Sequence, residues 1–154
     1  MTRAEIVKKR VDRSDKKGRM SDTASFSRDA VWGVGAAILL FIVMIALAVA
    51  WVTFFSYVIE PGHDPAFYEA HAQVSSPIVS VVAGGPVFWL VAFRLARGRA
   101  GGRTAWIAAF LYLLIDLAIL IAAGALPGPV APYFLAGAAM KVGGTALGVR
   151  HAKA

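Results

Sequence analysis

The sequence contains no cysteine. Disulfide bonds, thiolate nucleophiles and cysteine-based metal sites are therefore excluded, whereas the redox state of the compartment stays open. The chain also lacks a Walker-type glycine loop and a GxSxG elbow, the local arrangements that hold phosphates or expose a nucleophilic serine. We therefore predict a protein that is not an enzyme and that carries no cofactor.

Charged side chains are missing from long parts of the chain. Residues 31–58 form a run of 28 positions without Asp, Glu, Lys, Arg or His, and roughly 20 apolar residues suffice to cross a ~30 Å hydrocarbon core. Three further stretches carry at most one charge each: 75–93, 104–125 and 131–149. Too few polar residues remain to cover four such segments in water. The sequence therefore predicts an integral membrane protein.

The predicted fold is an all-α antiparallel bundle of four transmembrane helices within residues 31–150. The expected helices cover about 29–58, 74–95, 104–125 and 131–149. Residues 1–30 are polar and basic, which is typical of a disordered or loosely helical tail. No cleavable signal peptide is expected, because the first apolar run is too long. Met20 is an alternative start that would remove eight basic residues without changing the topology.

The positions of the basic residues predict the orientation in the membrane. Nine of the sixteen Lys and Arg lie in the first 28 residues, four lie in 94–103, and two follow residue 149. The segments 60–73 and 126–132 contain none. Under the positive-inside rule both termini and the 94–103 link are cytoplasmic. We expect a multi-pass protein of a bacterial inner (plasma) membrane, with the lipid bilayer and not nucleic acid as its partner.

Two charges interrupt the last two spans. Asp116 and Lys141 each lie 12.5 positions from the centre of the connecting loop, or about 19 Å along a helix at ~1.5 Å per residue. They are therefore level on neighbouring helices, and an ion pair between them would offset much of the cost of burying either charge. Tyr112 lies one turn from Asp116 on the same face, where its hydroxyl could donate to the carboxylate.

This pair has three interpretations. In the first, it fixes the register of the helices and does nothing else. In the second, Asp116 is a protonatable group or part of a polar cavity for a proton, ion or small solute. In the third, the two stay apart and Lys141 extends toward the cytoplasm.

Small residues recur along two of the predicted helices. Ser76, Ser80 and Gly84 follow one another at intervals of four, and Gly144 and Gly148 form a GxxxG pair. Such edges let two helix backbones approach closely in a membrane. We interpret these five residues as helix-packing positions.

The segment EPGHDPAFYEAHAQ holds four side chains that could bind a metal, namely His63, Asp64, Glu69 and His71. It lacks the HExxH arrangement of zinc enzymes. We predict instead a turn capped by Asp64, followed by a short amphipathic helix at the membrane surface.

These features favour a small structural or accessory membrane protein that acts through helix contacts, in a homo-oligomer or a larger complex. The alternative is a small transporter or proton-coupled protein that uses Asp116 and Lys141. A membrane enzyme with its site in the segment 60–73 is the third possibility.

Overall fold

The computed structural model describes residues 3–98, 101–124 and 131–154, with side chains described from Phe26 onward. This part of the chain forms four α-helices. They are α1 (Arg3–Phe54), α2 (Pro65–Arg97), α3 (Gly101–Ala122) and α4 (Ala131–His151). Helix α1 includes most of residues 1–30, the basic tail for which the sequence predicts a disordered or loosely helical segment.

Among the described residues, three helices are long and apolar enough to cross a membrane: Phe26–Ile59, Pro65–Arg97 and Gly101–Ala122. An all-helical fold with helices of membrane-spanning length is thus confirmed. Helix α4 has sufficient length, 21 residues, but not sufficient hydropathy. The reason lies in its composition, because it contains Lys141 and four glycines, which contribute little or negatively to mean hydropathy.

The turn between α1 and α2 is closed by local hydrogen bonds. A single π-helical turn, Phe55–Ile59, ends α1, and the Glu60 amide donates to the Phe55 carbonyl at 2.9 Å. Gly62 follows with a φ of +92°, a conformation that favours glycine. Asp64 then caps α2 by accepting a hydrogen bond from the Phe67 amide at 2.9 Å, as predicted.

Helix α2 begins at Pro65, because the predicted short surface helix continues without a break into the second span. It stays helical through Pro77 and Pro86. Since the proline ring lacks an amide donor, each leaves one carbonyl of the preceding turn without its usual partner.

The helices pack as two parallel pairs. In the α2/α4 pair, Gly137 lies beside Ser80 and Gly144 beside Gly85, so the residue numbers rise together. In the α1/α3 pair, the ring centroids of Phe41 and Tyr112 are 6.2 Å apart. Gly33 lies against Ile107, so the residue numbers of these two helices also rise together. Between α1 and α2 the chain reverses, because His71 of α2 stacks on Phe55 at the end of α1, so successive helices are antiparallel.

The core lies between these pairs. Leu40 and Met44 of α1, Phe88 of α2, and Ala108 and Tyr112 of α3 are buried together. The rings of Phe88 and Tyr112 meet edge to face, with centroids 5.0 Å apart, a favoured aromatic geometry. Helix α4 packs chiefly on α2 and only sparsely on α3.

The two ends of the bundle differ in charge. One end carries the turn at residues 60–64, and we call it the turn end. The opposite end carries Arg97, Arg103 and Arg150, and we call it the basic end. There the Trp89 indole donates to Nδ1 of His151 at 3.1 Å, which ties the last turn of α4 to α2.

Candidate functional site

The structure brings Asp116 and Lys141 together. Lys141 Nζ donates to Asp116 Oδ2 at 2.7 Å, the distance expected of a charge-assisted hydrogen bond. Their surroundings differ, since the Lys141 side chain is 1% exposed and that of Asp116 is 26% exposed. The ammonium is thus enclosed by protein, while the carboxylate faces a cleft.

Gly84 leaves room for the stem of the lysine, and Gly137 lies near its ammonium group. A Cβ atom on Gly84 would lie 3.1 Å from Lys141 Cγ, and one on Gly137 would lie 3.9 Å from Lys141 Nζ. The lysine stem therefore lies along α2 where side chains are missing. Gly84, predicted as a helix-packing residue, faces a charged side chain and not another backbone.

Tyr112 also lies at the ion pair. Lys141 Nζ lies 4.8 Å from the centroid of the Tyr112 ring, within the range of a cation–π interaction. No hydrogen bond joins the Tyr112 hydroxyl to Asp116 in the described part of the chain. The electron-rich face of the Tyr112 ring stabilises the ammonium of Lys141, so Tyr112 contacts the pair through its ring.

The GxxxG pair of α4 packs within the chain. A Cβ atom on Gly144 would collide with the carbonyl oxygen of Gly85, and one on Gly148 would collide with that of Trp89. Next to them, the Thr145 hydroxyl donates to the carbonyl of Lys141 at 2.9 Å and so does not reach Asp116. The small edges of α2 and α4 are complementary surfaces of one interface.

A cleft of about 740 Å³ lies between α2, α3 and α4. Asp116 and Lys141 belong to its wall, together with Ser76, Ser80 and Leu120. The remaining lining residues include Tyr133 and Phe134 of α4. Two of the five predicted packing residues, Ser76 and Ser80, thus face a cavity.

In the described part of the chain, the cleft lies on the turn-end side of the ion pair. Its lining comes from the first half of α2, the last half of α3 and the first half of α4, and all three halves lie at the turn end. On the basic side of the pair, Phe88, Tyr112 and Thr145 are buried, and Gly144 is in contact with the α2 backbone. These contacts separate Asp116 from the basic end.

The four candidate metal ligands take separate roles. His63 Nε2 lies 3.0 Å from Glu60 Oε2, and Asp64 caps α2. His71 stacks on Phe55 with ring centroids 3.5 Å apart, and Glu69 is exposed. Among the described residues, no three His, Asp or Glu side chains come together as a metal site would require.

A second groove, of about 640 Å³, lies between α1 and α2. Its walls are apolar, but it contains Ser75 and His71. Ser75 Oγ and His71 Nε2 are buried and have no hydrogen-bond partner in the described part of the chain. Sequence reasoning missed this groove, because a serine in an apolar helix carries no distinguishing signal.

Comparison with the models of known protein families, with curated proteins and with solved structures finds no match for this chain. Its function is therefore inferred from the geometry and chemistry of the site alone.

Proposed function

We propose that this protein is a small four-span carrier of a bacterial inner membrane, in which Asp116 receives a proton or small polar solute. One observation supports this proposal above the others. The carboxylate of Asp116 is partly exposed on a cleft between three helices, while the side chain of its partner Lys141 is buried. A pair with only a structural role needs no such cleft.

The proposal requires α4 to cross the membrane. With 21 residues it is about 32 Å long, which matches the hydrocarbon thickness. Its charge is already paired with Asp116, so the cost of inserting Lys141 is offset. The basic end is the cytoplasmic side under the positive-inside rule, and the cleft then lies in the outer half of the bundle.

The ion pair supplies a means of coupling. Protonation of Asp116, or binding of a donor to it, weakens the attraction that holds Lys141. A buried ammonium without its counter-ion is unfavourable by several kcal/mol. Loss of the ion pair therefore favours a different arrangement of α2 and α4 against α3. Because α3 and α4 share few contacts, that interface is the one most easily rearranged. Access would then alternate between the two ends.

The accessory role has less support. It rested on the small-residue edges of α2 and α4, and Gly144 and Gly148 are occupied by contacts with α2 in the same chain. The lipid-facing side of α1, with Ile38, Ile42 and Ile45 about half exposed, would be the surface left for a partner helix.

Proton flux in liposomes tests the carrier proposal. The full chain is reconstituted with a pH-sensitive dye inside, and an imposed membrane potential drives proton uptake. We expect flux with the wild type and none with Asp116→Asn. Glu69→Gln removes an exposed acid at the same end and should keep the wild-type rate.

A further variant serves as a control for loss of folding. Asp116→Asn with Lys141→Met removes both charges, leaves no buried ammonium unpaired, and should be folded but inactive. Wild-type flux in the folded double variant would contradict the proposal. Recovery of the chain only with a second protein in mild detergent would favour the accessory role instead.

A further inference from the structure

We infer that the cleft at Asp116 binds a small monovalent organic cation, an ammonium group attached to an apolar or aromatic body. This inference deepens the proposed function and rests on it, since it uses the same site. It concerns equilibrium binding, however, and so can hold or fail separately from flux.

The charge that faces the cleft is negative. Lys141 is 1% exposed, whereas Asp116 is 26% exposed. Only Oδ2 of the carboxylate is hydrogen-bonded to the lysine, and no described residue donates to Oδ1. A donor that approaches Oδ1 is therefore closer to the carboxylate than to the ammonium behind it, and Coulomb attraction to the nearer charge dominates.

The other residues that line the cleft determine which kind of cation it can bind. Ser76 and Ser80 of α2 line the same cleft as Asp116 and offer hydroxyl oxygens, and Leu120 offers apolar surface. Tyr133 and Phe134 add aromatic rings, which attract cations and cover apolar groups. Among the described residues, no basic side chain other than Lys141 lines the cleft, so an anion has no partner there.

An inorganic cation fits the wall less well. Ca²⁺ takes six to eight oxygen ligands and Mg²⁺ an octahedron of them, while this wall offers one carboxylate and a few hydroxyl or amide oxygens beside apolar side chains. The volume of about 740 Å³ falls in the usual range for small-molecule sites. A single-ring amine is therefore a suitable probe.

Three probes of one shape separate charge from size: benzylammonium, neutral benzyl alcohol and anionic benzoate. Binding is measured by calorimetry on the full chain in lipid nanodiscs. A charge-assisted hydrogen bond is stronger than a neutral one by enough to give about a tenfold difference in affinity. Benzylammonium should therefore bind about tenfold more tightly than benzyl alcohol. Benzoate should not bind.

Variants locate the binding. The folded double variant Asp116→Asn with Lys141→Met should lose the preference, while Glu69→Gln should keep it. Ser76→Leu fills the cleft and should abolish benzylammonium binding. Its control, Val74→Leu, lies on the exposed side of the same helix and should leave binding unchanged.

The outcomes are distinct from those of the flux assay. Equal affinity for benzylammonium and benzyl alcohol would overturn the inference, even if Asp116-dependent proton flux is present. Displacement of benzylammonium by equal concentrations of Na⁺ would assign the site to an inorganic cation and also overturn it. Selective binding without proton flux would support the inference and refute the proposal that Asp116 carries protons.

Discussion

Gly144 of α4 packs directly on the backbone of Gly85 of α2, and a methyl group at residue 144 would collide with the Gly85 carbonyl oxygen. At the neighbouring Gly143, a methyl group would meet no described atom within 4 Å. One glycine is thus needed for helix contact, and the adjacent glycine is not.

This difference predicts opposite effects of two neighbouring substitutions. Gly144→Ala should destabilise the fold by about 1–3 kcal/mol, as overpacking does, toward the upper end because a backbone atom cannot move aside. Gly143→Ala should be neutral or stabilise by up to about 1 kcal/mol, because alanine is the better helix former. The free energy of unfolding in bicelles measures both. Equal effects would show that α2 and α4 are not in contact at this point.

The Asp116–Lys141 pair predicts an asymmetric double-mutant cycle. Asp116→Asn leaves the enclosed ammonium unpaired, so its cost should approach the ~3–5 kcal/mol typical of a broken buried pair. Lys141→Met should cost less, since the 26% exposed carboxylate retains contact with the cleft. The double variant should return to within about 1 kcal/mol of the wild type.

Chemical unfolding of the four proteins in detergent measures this cycle. Additive single-variant costs, with no recovery in the double variant, would mean that the two charges do not interact in the folded protein. The cycle thus tests the pair without reference to any transport activity.

The turn end depends on one tyrosine. The Tyr68 hydroxyl donates to the Glu60 carbonyl at 2.7 Å and accepts from the His63 amide at 3.2 Å. Tyr68→Phe should therefore cost about 1 kcal/mol and speed hydrogen exchange at the His63 amide. Tyr57→Phe is the control, because Tyr57 is 79% exposed. Unchanged exchange in Tyr68→Phe would exclude the bond.

The absence of cysteine allows single cysteines to report topology. Glu69→Cys and Ala123→Cys should react with a membrane-impermeant maleimide on intact cells, because both residues lie at the turn end. Ala154→Cys should react only after permeabilisation. Labelling of all three on intact cells would show that α4 does not cross the membrane, and the reverse pattern would invert the orientation.

Much of the architecture was predictable from local pattern. Long uncharged runs predict helices of membrane length, and the Asp64 cap follows from a polar residue before a helix start. The matching depth of Asp116 and Lys141 follows from helix rise and loop position alone, because equal distances from a turn place two residues at equal depth.

Other features of the structure depended on which helix faces pack against each other. The sequence placed Asp116 and Lys141 on one hairpin, yet α4 packs mainly on α2, because glycines of both helices fit together. Tyr112 was within reach of Asp116 by spacing, but ring orientation placed its face near the ammonium. Spacing along a helix predicts the helix face on which a residue lies, but not which atoms its side chain contacts.

By itself the sequence determined that this chain is helical, that it has segments of membrane length, and that one acid and one base lie at matching depth, because these depend on composition and on the fixed rise of a helix. Only the tertiary structure decided that Lys141 is buried beside Gly84 and the Tyr112 ring while Asp116 faces a cleft. That difference arises from the packing of three helices around the pair, and packing depends on surfaces that are far apart in the sequence.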